Sequence, residues 1–148
     1  MLEARDLEAT RGDRTLFSGV SFSLAPGALL RVTGANGRGK TTLLRALCGL
    51  LQPAGGEVRW KGENIRALRE EYWAQLLYIG HANALKDDLT AEENLMFACG
   101  IGGRAVARAE ARAALARFGL VGREELPIRA LSQGQRRRAA LARIAVAG

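Results

Sequence analysis

The sequence predicts an α/β fold, and three observations predict it. Residues 2–33 alternate loosely between apolar and polar in the manner of β-strands. Over residues 29–50 a short apolar run, a glycine-rich loop and an amphipathic stretch follow one another, the order strand, loop, helix. Residues 82–130 then read as helical, bracketed by helix start and stop signals.

Taken in order, residues 2–9 and 20–24 are expected strands, with a turn at Gly12-Asp13. Pro26-Gly27 turns the chain into Leu29-Leu30-Arg31-Val32-Thr33, a mostly apolar run of strand length. Residues 42–50 are expected as a helix, with Leu43, Leu44, Leu47 and Leu50 as its apolar positions. The Gln52-Pro53-Ala54-Gly55-Gly56 segment breaks the chain before a short strand at 57–60 and a tight turn at Lys61-Gly62. Residues 65–71 form a charged helical turn, and Leu76-Leu77-Tyr78-Ile79 is a short apolar run of the buried-strand kind. Thr90 and Glu93 make a capping box that starts a helix to about Cys99, stopped by Gly100 and Gly102-Gly103. The alanine- and arginine-rich stretch 104–118 is the next helix, ended by Gly119. Ser132 and Gln135 make a second capping box, and residues 136–146 continue as a helix. The chain thus divides into 1–81, a β-rich part with the glycine loop; 82–130, a helical insertion; and 131–148, a capped helix.

The loop Gly34-Ala35-Asn36-Gly37-Arg38-Gly39-Lys40-Thr41 has the spacing of a phosphate-binding loop, glycine, four residues, then Gly-Lys-Thr. A polyphosphate is best held by several backbone N–H groups aimed at one point, and a backbone wraps that closely only where side chains are absent. The helix that follows adds the positive end of its dipole. Lys40 would supply a point charge to the β- and γ-phosphates and Thr41 a hydroxyl to Mg²⁺, with Thr42 beside them. A glycine-rich turn with a chance lysine is the bland alternative; the flanking run and helix argue for nucleotide.

With 148 residues, 48% of them apolar and 25% charged, the composition is that of a soluble globular domain. No apolar run is long enough to span a bilayer, and the first residues lack the apolar centre of a signal peptide, so a cytoplasmic location is expected. The net charge of +7 favours an anionic partner. Its one cluster, Arg136-Arg137-Arg138, reads as a solvated or phosphate-facing helix surface, not as a nucleic-acid patch, and no nucleic acid is expected. Cys48 and Cys99 form no metal or redox motif and read as buried free thiols.

Together, the phosphate loop and Leu131-Ser132-Gln133-Gly134-Gln135 resemble the Walker A loop and the signature motif of ATP-binding cassette (ABC) ATPases, in the right order and over essentially the whole chain. The resemblance implies a P-loop NTPase of ABC type, a β-subdomain plus core sheet with a helical-subdomain insertion. It implies a head-to-tail dimer in which Ser132, Gln133, Gly134 and Gln135 face the nucleotide held by the other copy. Glu71 to His81, Leu85 to Leu95, the first seven residues and Arg14-Thr15-Leu16-Phe17 further resemble ATP-binding subunits of the haem exporter of cytochrome c maturation. That resemblance implies ATP and Mg²⁺ as cofactors, transmembrane subunits as partners, and a peripheral position on the inner face of the inner membrane. The rivals are an ABC ATPase with another task and a non-hydrolysing nucleotide-binding module.

Three departures from the family pattern stand out. Arg11 holds the place of an aromatic that stacks on adenine, and an arginine plane can stack on a base by a different balance of forces. His81 holds the place of a glutamine that senses Mg²⁺ and the attacking water; a neutral histidine could do so, and a plain loop histidine reads equally well. No catalytic residue is identified: the family's later strand with its aspartate and glutamate, and its switch histidine, have no counterpart up to Gly148, so the C-terminal part is expected to be missing. Because no carboxylate side chain follows Glu125, residues 1–148 are expected to bind nucleotide weakly and to turn over essentially none. Steady-state phosphate release, compared with Lys40→Ala as the contamination control, checks this; turnover clearly above that control would contradict it.

Overall fold

β1 (Leu2–Arg11) and β2 (Arg14–Leu24) pair as an antiparallel hairpin across the Gly12-Asp13 turn. The sequence-based bounds were shorter, because Thr10, Arg11, Arg14 and Thr15 are polar yet lie in register opposite one another. β3 (Gly55–Trp60) joins the other side of β1, and β4 (Glu63–Asn64) follows, giving the order β2-β1-β3-β4. The computed structural model describes residues 1–80 and 83–146 and divides them into two compact units, Met1–Leu76 and Leu77–Gly148.

The first unit stacks two helices on this antiparallel sheet. α1 (Lys40–Leu47) buries Leu43 and Leu47, one turn apart, and α2 (Ile65–Ala74) buries Ile65 and Tyr72. These side chains meet Ala4, Leu7 and Val58 from the sheet in one core. α1 stops at Leu47, short of the expected Leu50, with Cys48 as its C-cap and Gly49 at φ 70°. α2 is longer than the expected turn and kinks at Arg69 (φ 15°). Its aromatic end closes α1: the buried Tyr72 hydroxyl donates to the Leu47 carbonyl at 2.7 Å, and Trp73 Nε1 donates to the Cys48 carbonyl at 3.2 Å. Burial pushes Tyr72 up to about 12, so it remains a neutral donor.

Two expected strands are absent. Leu29 to Thr33 and Leu76 to Ile79 carry no ladder, and Leu29 is 93% exposed. An apolar run becomes a strand only where a neighbour takes its backbone donors and acceptors. In the first unit β2, β1, β3 and β4 complete one another, and none of them flanks residues 29–33. The α/β class stands, but the sheet built by the described residues is the antiparallel one.

The second unit is helical. α3 (Ala91–Ile101) begins at the expected Thr90/Glu93 capping box, with Thr90 N donating to Glu93 Oε2 at 2.8 Å and Glu93 N donating to Thr90 Oγ1 at 3.2 Å. Hydrogen bonding to the Thr90 backbone holds the Glu93 carboxyl below the usual range. The helix runs through Gly100 and ends at Gly102, since a glycine weakens a helix without forbidding it. α4 (Arg108–Arg117) starts four residues later than expected and ends, as expected, before Gly119 (φ 70°). α5 (Gln133–Leu141) tightens into a 3₁₀ turn over Ala142–Ala145. Leu95, Leu115, Leu120, Ile128 and Leu131 form its core.

The junction of β1 with β3 depends on one glycine. β1 bulges between Arg5 and Glu8, where Asp6 takes φ 49° and its N–H donates to Ser21 Oγ at 2.8 Å. Gly56 (φ 76°) lies against the bulge, and a Cβ there would sit 2.3 Å from the Arg5 carbonyl oxygen. Gly56→Ala should therefore cost about 3 kcal/mol or more, combining left-handed strain with a backbone clash. Chemical denaturation checks this; a loss below about 1 kcal/mol would contradict the geometry.

Candidate nucleotide site

The glycine loop is seated on β2. At Gly39 (φ 84°) a Cβ would lie 3.0 Å from Phe17 Cδ1 and 3.1 Å from Leu16 Cβ, a tight approach in a left-handed conformation that favours glycine. Gly34 and Gly37 also take positive φ, 145° and 79°. Gly39 caps α1 without a side-chain hydrogen bond and no acid lies in the first turn, so no carboxylate or hydroxyl cap competes there for an anion. Lys40 folds back over the loop: its Nζ donates to the Gly34 carbonyl at 2.5 Å and to the Ala35 carbonyl at 2.8 Å.

A cavity of about 260 Å³ opens here, lined by Arg11, Leu16, Asn36, Gly37, Gly39, Lys40, Thr41 and Thr42. The structure thus brings Arg11, at the end of β1, to the same cavity as the phosphate loop. Gly34 and Ala35 enter through their bonds to Lys40, whereas Arg38 is exposed and does not line the cavity. No lining residue carries a carboxylate. Leu16 was not legible as a site residue; its only signal was its place in the strand that runs beneath the loop.

The Ser132 to Gln135 segment lies in the second unit as the first turn of α5. Ser132 N donates to Gln135 Oε1 at 2.8 Å and Gln135 N donates to Ser132 Oγ at 3.2 Å, the second expected capping box. Ser132, Gln133 and Gly134 are exposed, and a Cβ on Gly134 would meet nothing within 4 Å. This turn is open to a ligand or a partner. His81 lies outside the described residues.

The Arg136-Arg137-Arg138 run departs from the expected solvated surface. Arg136 donates to the Leu131 and Arg129 carbonyls at 3.1 and 3.0 Å, and Arg138 to the Phe118 and Gly119 carbonyls at 3.3 and 3.1 Å. Arg137 Nη1 donates to the Gly80 carbonyl at 2.8 Å and to Asn83 Oδ1 at 3.2 Å. A guanidinium carries five donors in a rigid fork, so it can satisfy loop carbonyls that have no other partner. The run is a set of clamps on the main chain around α5. The cysteines are half-buried, and burial pushes both thiols up, which leaves them protonated and unreactive.

Sequence reading missed two polar residues that position this unit. Asn94, 4% exposed, accepts from Lys86 N at 2.7 Å and donates to the carbonyls of Lys86, Leu89 and Thr90 at 3.0–3.2 Å. Glu92, 3% exposed, takes Arg112 at 2.6 Å and Arg108 at 3.3 Å, while Arg112 also bonds Glu125. Nothing local in the sequence marks either residue as buried.

Comparison with known proteins fits the geometry. The ABC transporter family model matches residues 17–148. A cytochrome c biogenesis ATP-binding export protein CcmA from Nitrosospira multiformis is 54% identical over 99% of this chain and 71% of its own length. The CcmA of Nitrosomonas europaea is 53% identical over 99% and 68%. A solved ATP-binding subunit of an ABC transporter superposes with a TM-score of 0.81 at 28% identity, over 96% of this chain and 60% of that one. A glycine-rich loop that runs into a helix N-terminus, in a chain the ABC transporter model matches, defines a nucleotide-binding ATPase domain. The chain belongs to the ABC transporter family of ATPases.

Asn94→Ala should destabilise the protein by roughly 1–3 kcal/mol, since it leaves the Lys86 N–H without its acceptor, while the carbonyls of Lys86, Leu89 and Thr90 keep the backbone donors of Leu89, Ile128 and Asn94. Thermal unfolding checks this, and an unchanged Tm would contradict the burial.

Proposed function

We propose that this chain is the ATP-binding subunit of an exporter serving cytochrome c biogenesis. The observation that carries the reading is the single cavity that joins Arg11 to Asn36, Gly37, Gly39, Lys40, Thr41 and Thr42, in a chain 54% identical to an ATP-binding export protein of that pathway. Gly34 to Gly39 wrap the phosphates, and Lys40 exchanges its bonds to the Gly34 and Ala35 carbonyls for phosphate oxygens. The residues fit a Mg·nucleotide: Thr41 lines the cavity with a hydroxyl, and the remaining ligands come from the phosphates and water. When bound, Mg²⁺ neutralises charge on the phosphate oxygens.

The turn of Ser132, Gln133, Gly134 and Gln135, exposed at its first three residues, is the surface offered to a nucleotide on a second copy, giving a head-to-tail dimer with ATP as part of its interface. Among the described residues no helix is long and apolar enough to cross a membrane; in this reading the export path belongs to transmembrane subunits held on the dimer. The division into residues 1–81, 82–130 and 131–148 assigns the nucleotide to the first part and partner contact to the helical insertion.

Lys40→Ala should weaken ATP binding by roughly 10- to 150-fold, the equivalent of about 1.5–3 kcal/mol for charged hydrogen bonds. Fluorescent-nucleotide titration checks this, and unchanged affinity in a folded variant sinks the role of Lys40. Ser132→Arg should leave monomer nucleotide binding intact and block ATP-driven dimerisation, at a cost of about 1 kcal/mol for the lost helix cap. Ser132→Asp keeps the cap and sets a carboxylate against the phosphate, so it should block dimerisation too. Size-exclusion chromatography with ATP decides between the outcomes; variants that still dimerise would count against the interface.

A further inference from the structure

A second cavity, of about 380 Å³, lies at the other end of α1, where α2 closes it. Its floor is apolar, with Ala46, Val58 and Ile65 buried. Its rim carries Arg66, Arg69 and Trp73 of α2, all exposed. Among the described residues neither arginine side chain has a hydrogen bond or an ion pair. No lining residue carries a carboxylate, and Glu57 of β3 is taken by Arg59 and Asn64. The last carbonyls of α1, which would repel an anion, are covered by Tyr72 and Trp73. Trp73 gives its one donor to the Cys48 carbonyl, which fixes the ring, yet the residue stays 50% exposed. What the ring has left to offer is its apolar face. A fixed indole beside two cations without counter-charge, over an apolar floor, is the complement of a flat anion.

We propose that this cavity is a binding site for a planar organic anion, an aromatic body carrying one or two carboxylates, with the body against Trp73 and the charge on Arg66 and Arg69. The inference stands apart from the nucleotide reading, since the two cavities share no residue. Carboxylate is favoured over phosphate by what the wall presents. The N–H groups of Gly49, Leu51 and Arg66 are taken by Ala46, Arg45 and Asn64, and Pro53 has none. The wall therefore offers guanidinium forks, which match carboxylates, and not the cradle of backbone N–H groups that the glycine loop offers to phosphate. The volume lies at the small end of the roughly 300–1,000 Å³ usual for small-molecule sites, which suits a body of one or two fused rings.

The test is isothermal titration of the purified chain with naphthalene dicarboxylate, naphthoate, neutral naphthamide and inorganic phosphate. The indole N–H resonance of Trp73, assigned with Trp73→Phe, reports where the probe sits. The dicarboxylate should bind wild type tightest, with naphthoate roughly 10-fold weaker and naphthamide weaker again by about as much, the size of one charged hydrogen bond each. Both carboxylates should shift the Trp73 resonance, and phosphate should compete poorly. Arg66→Gln and Arg69→Gln should each weaken the dicarboxylate by roughly 10-fold, and together bring it to the level of the amide. Both arginines are exposed, so these variants should fold, and circular dichroism verifies it. Lys40→Ala should leave every affinity unchanged. Equal affinity for amide and dicarboxylate overturns the proposal, as does phosphate binding as strong as that of naphthoate. So does a double variant that binds like wild type, a probe lost with Lys40→Ala, which would place it in the nucleotide cavity, or a wild type that shows neither heat nor shift at millimolar probe.

Discussion

The contact of Gly39 with Leu16 and Phe17 is the constraint on which the nucleotide site depends. It sets the last turn of the loop closely against β2, where a Cβ would be crowded and the φ of 84° favours glycine. Because Gly39 is also the N-cap of α1, the same contact aims the helix N-terminus into the cavity. The opposite end of α1 is fixed by Tyr72 and Trp73, which take the Leu47 and Cys48 carbonyls. A short helix held at both ends keeps its N–H groups pointed at one place. That preorganisation lets a loop of small residues bind a highly charged ligand without ordering itself anew.

The second unit uses charge in a different way. Its arginines are numerous, but many are spent on internal acceptors: Arg112 and Arg108 on the buried Glu92, Arg136, Arg137 and Arg138 on main-chain oxygens. Net charge alone therefore overstates the field this protein offers to an anion. The cations that remain uncommitted and share a cavity are few, and Arg11 is one of them. Internal clamps of this kind also explain a helical unit so rich in alanine, whose small side chains bury little area each. Guanidinium bonds to loop carbonyls replace part of the cohesion that larger apolar residues would supply.

What could be read from the sequence was local. The loop spacing, both capping boxes, the hairpin turn and the stop at Gly119 each rest on a few neighbouring residues, and each stands in the structure. What could not be read was non-local. Residues 29–33 and 76–79 have the composition of strands, yet a strand is a relation between two segments, and no neighbour in these units completes theirs. Asn94 and Glu92 look like ordinary polar residues of a helix's first turns; their importance comes from loop carbonyls and arginines that packing brings to them. The Arg136 to Arg138 run was legible as charge but not as a set of bonds, because its acceptors lie up to 57 residues away.

Binding and turnover place different demands on such a site, and the groups that line this cavity are of the kind the first calls for. The cavity presents a cation, hydroxyls and a helix N-terminus, all of which stabilise a triphosphate already in its ground state. It presents no carboxylate to orient water or to hold a metal against the developing charge. Interactions of this kind are expressed as affinity. In a site shared between two copies that affinity becomes a force for association, since a ligand that contacts both surfaces stabilises the closed dimer by whatever it binds more tightly there than in either copy alone. An exposed, rigidly capped turn at Ser132 is suited to that use. A turn used in that way needs no catalytic group of its own, only a fixed set of backbone donors.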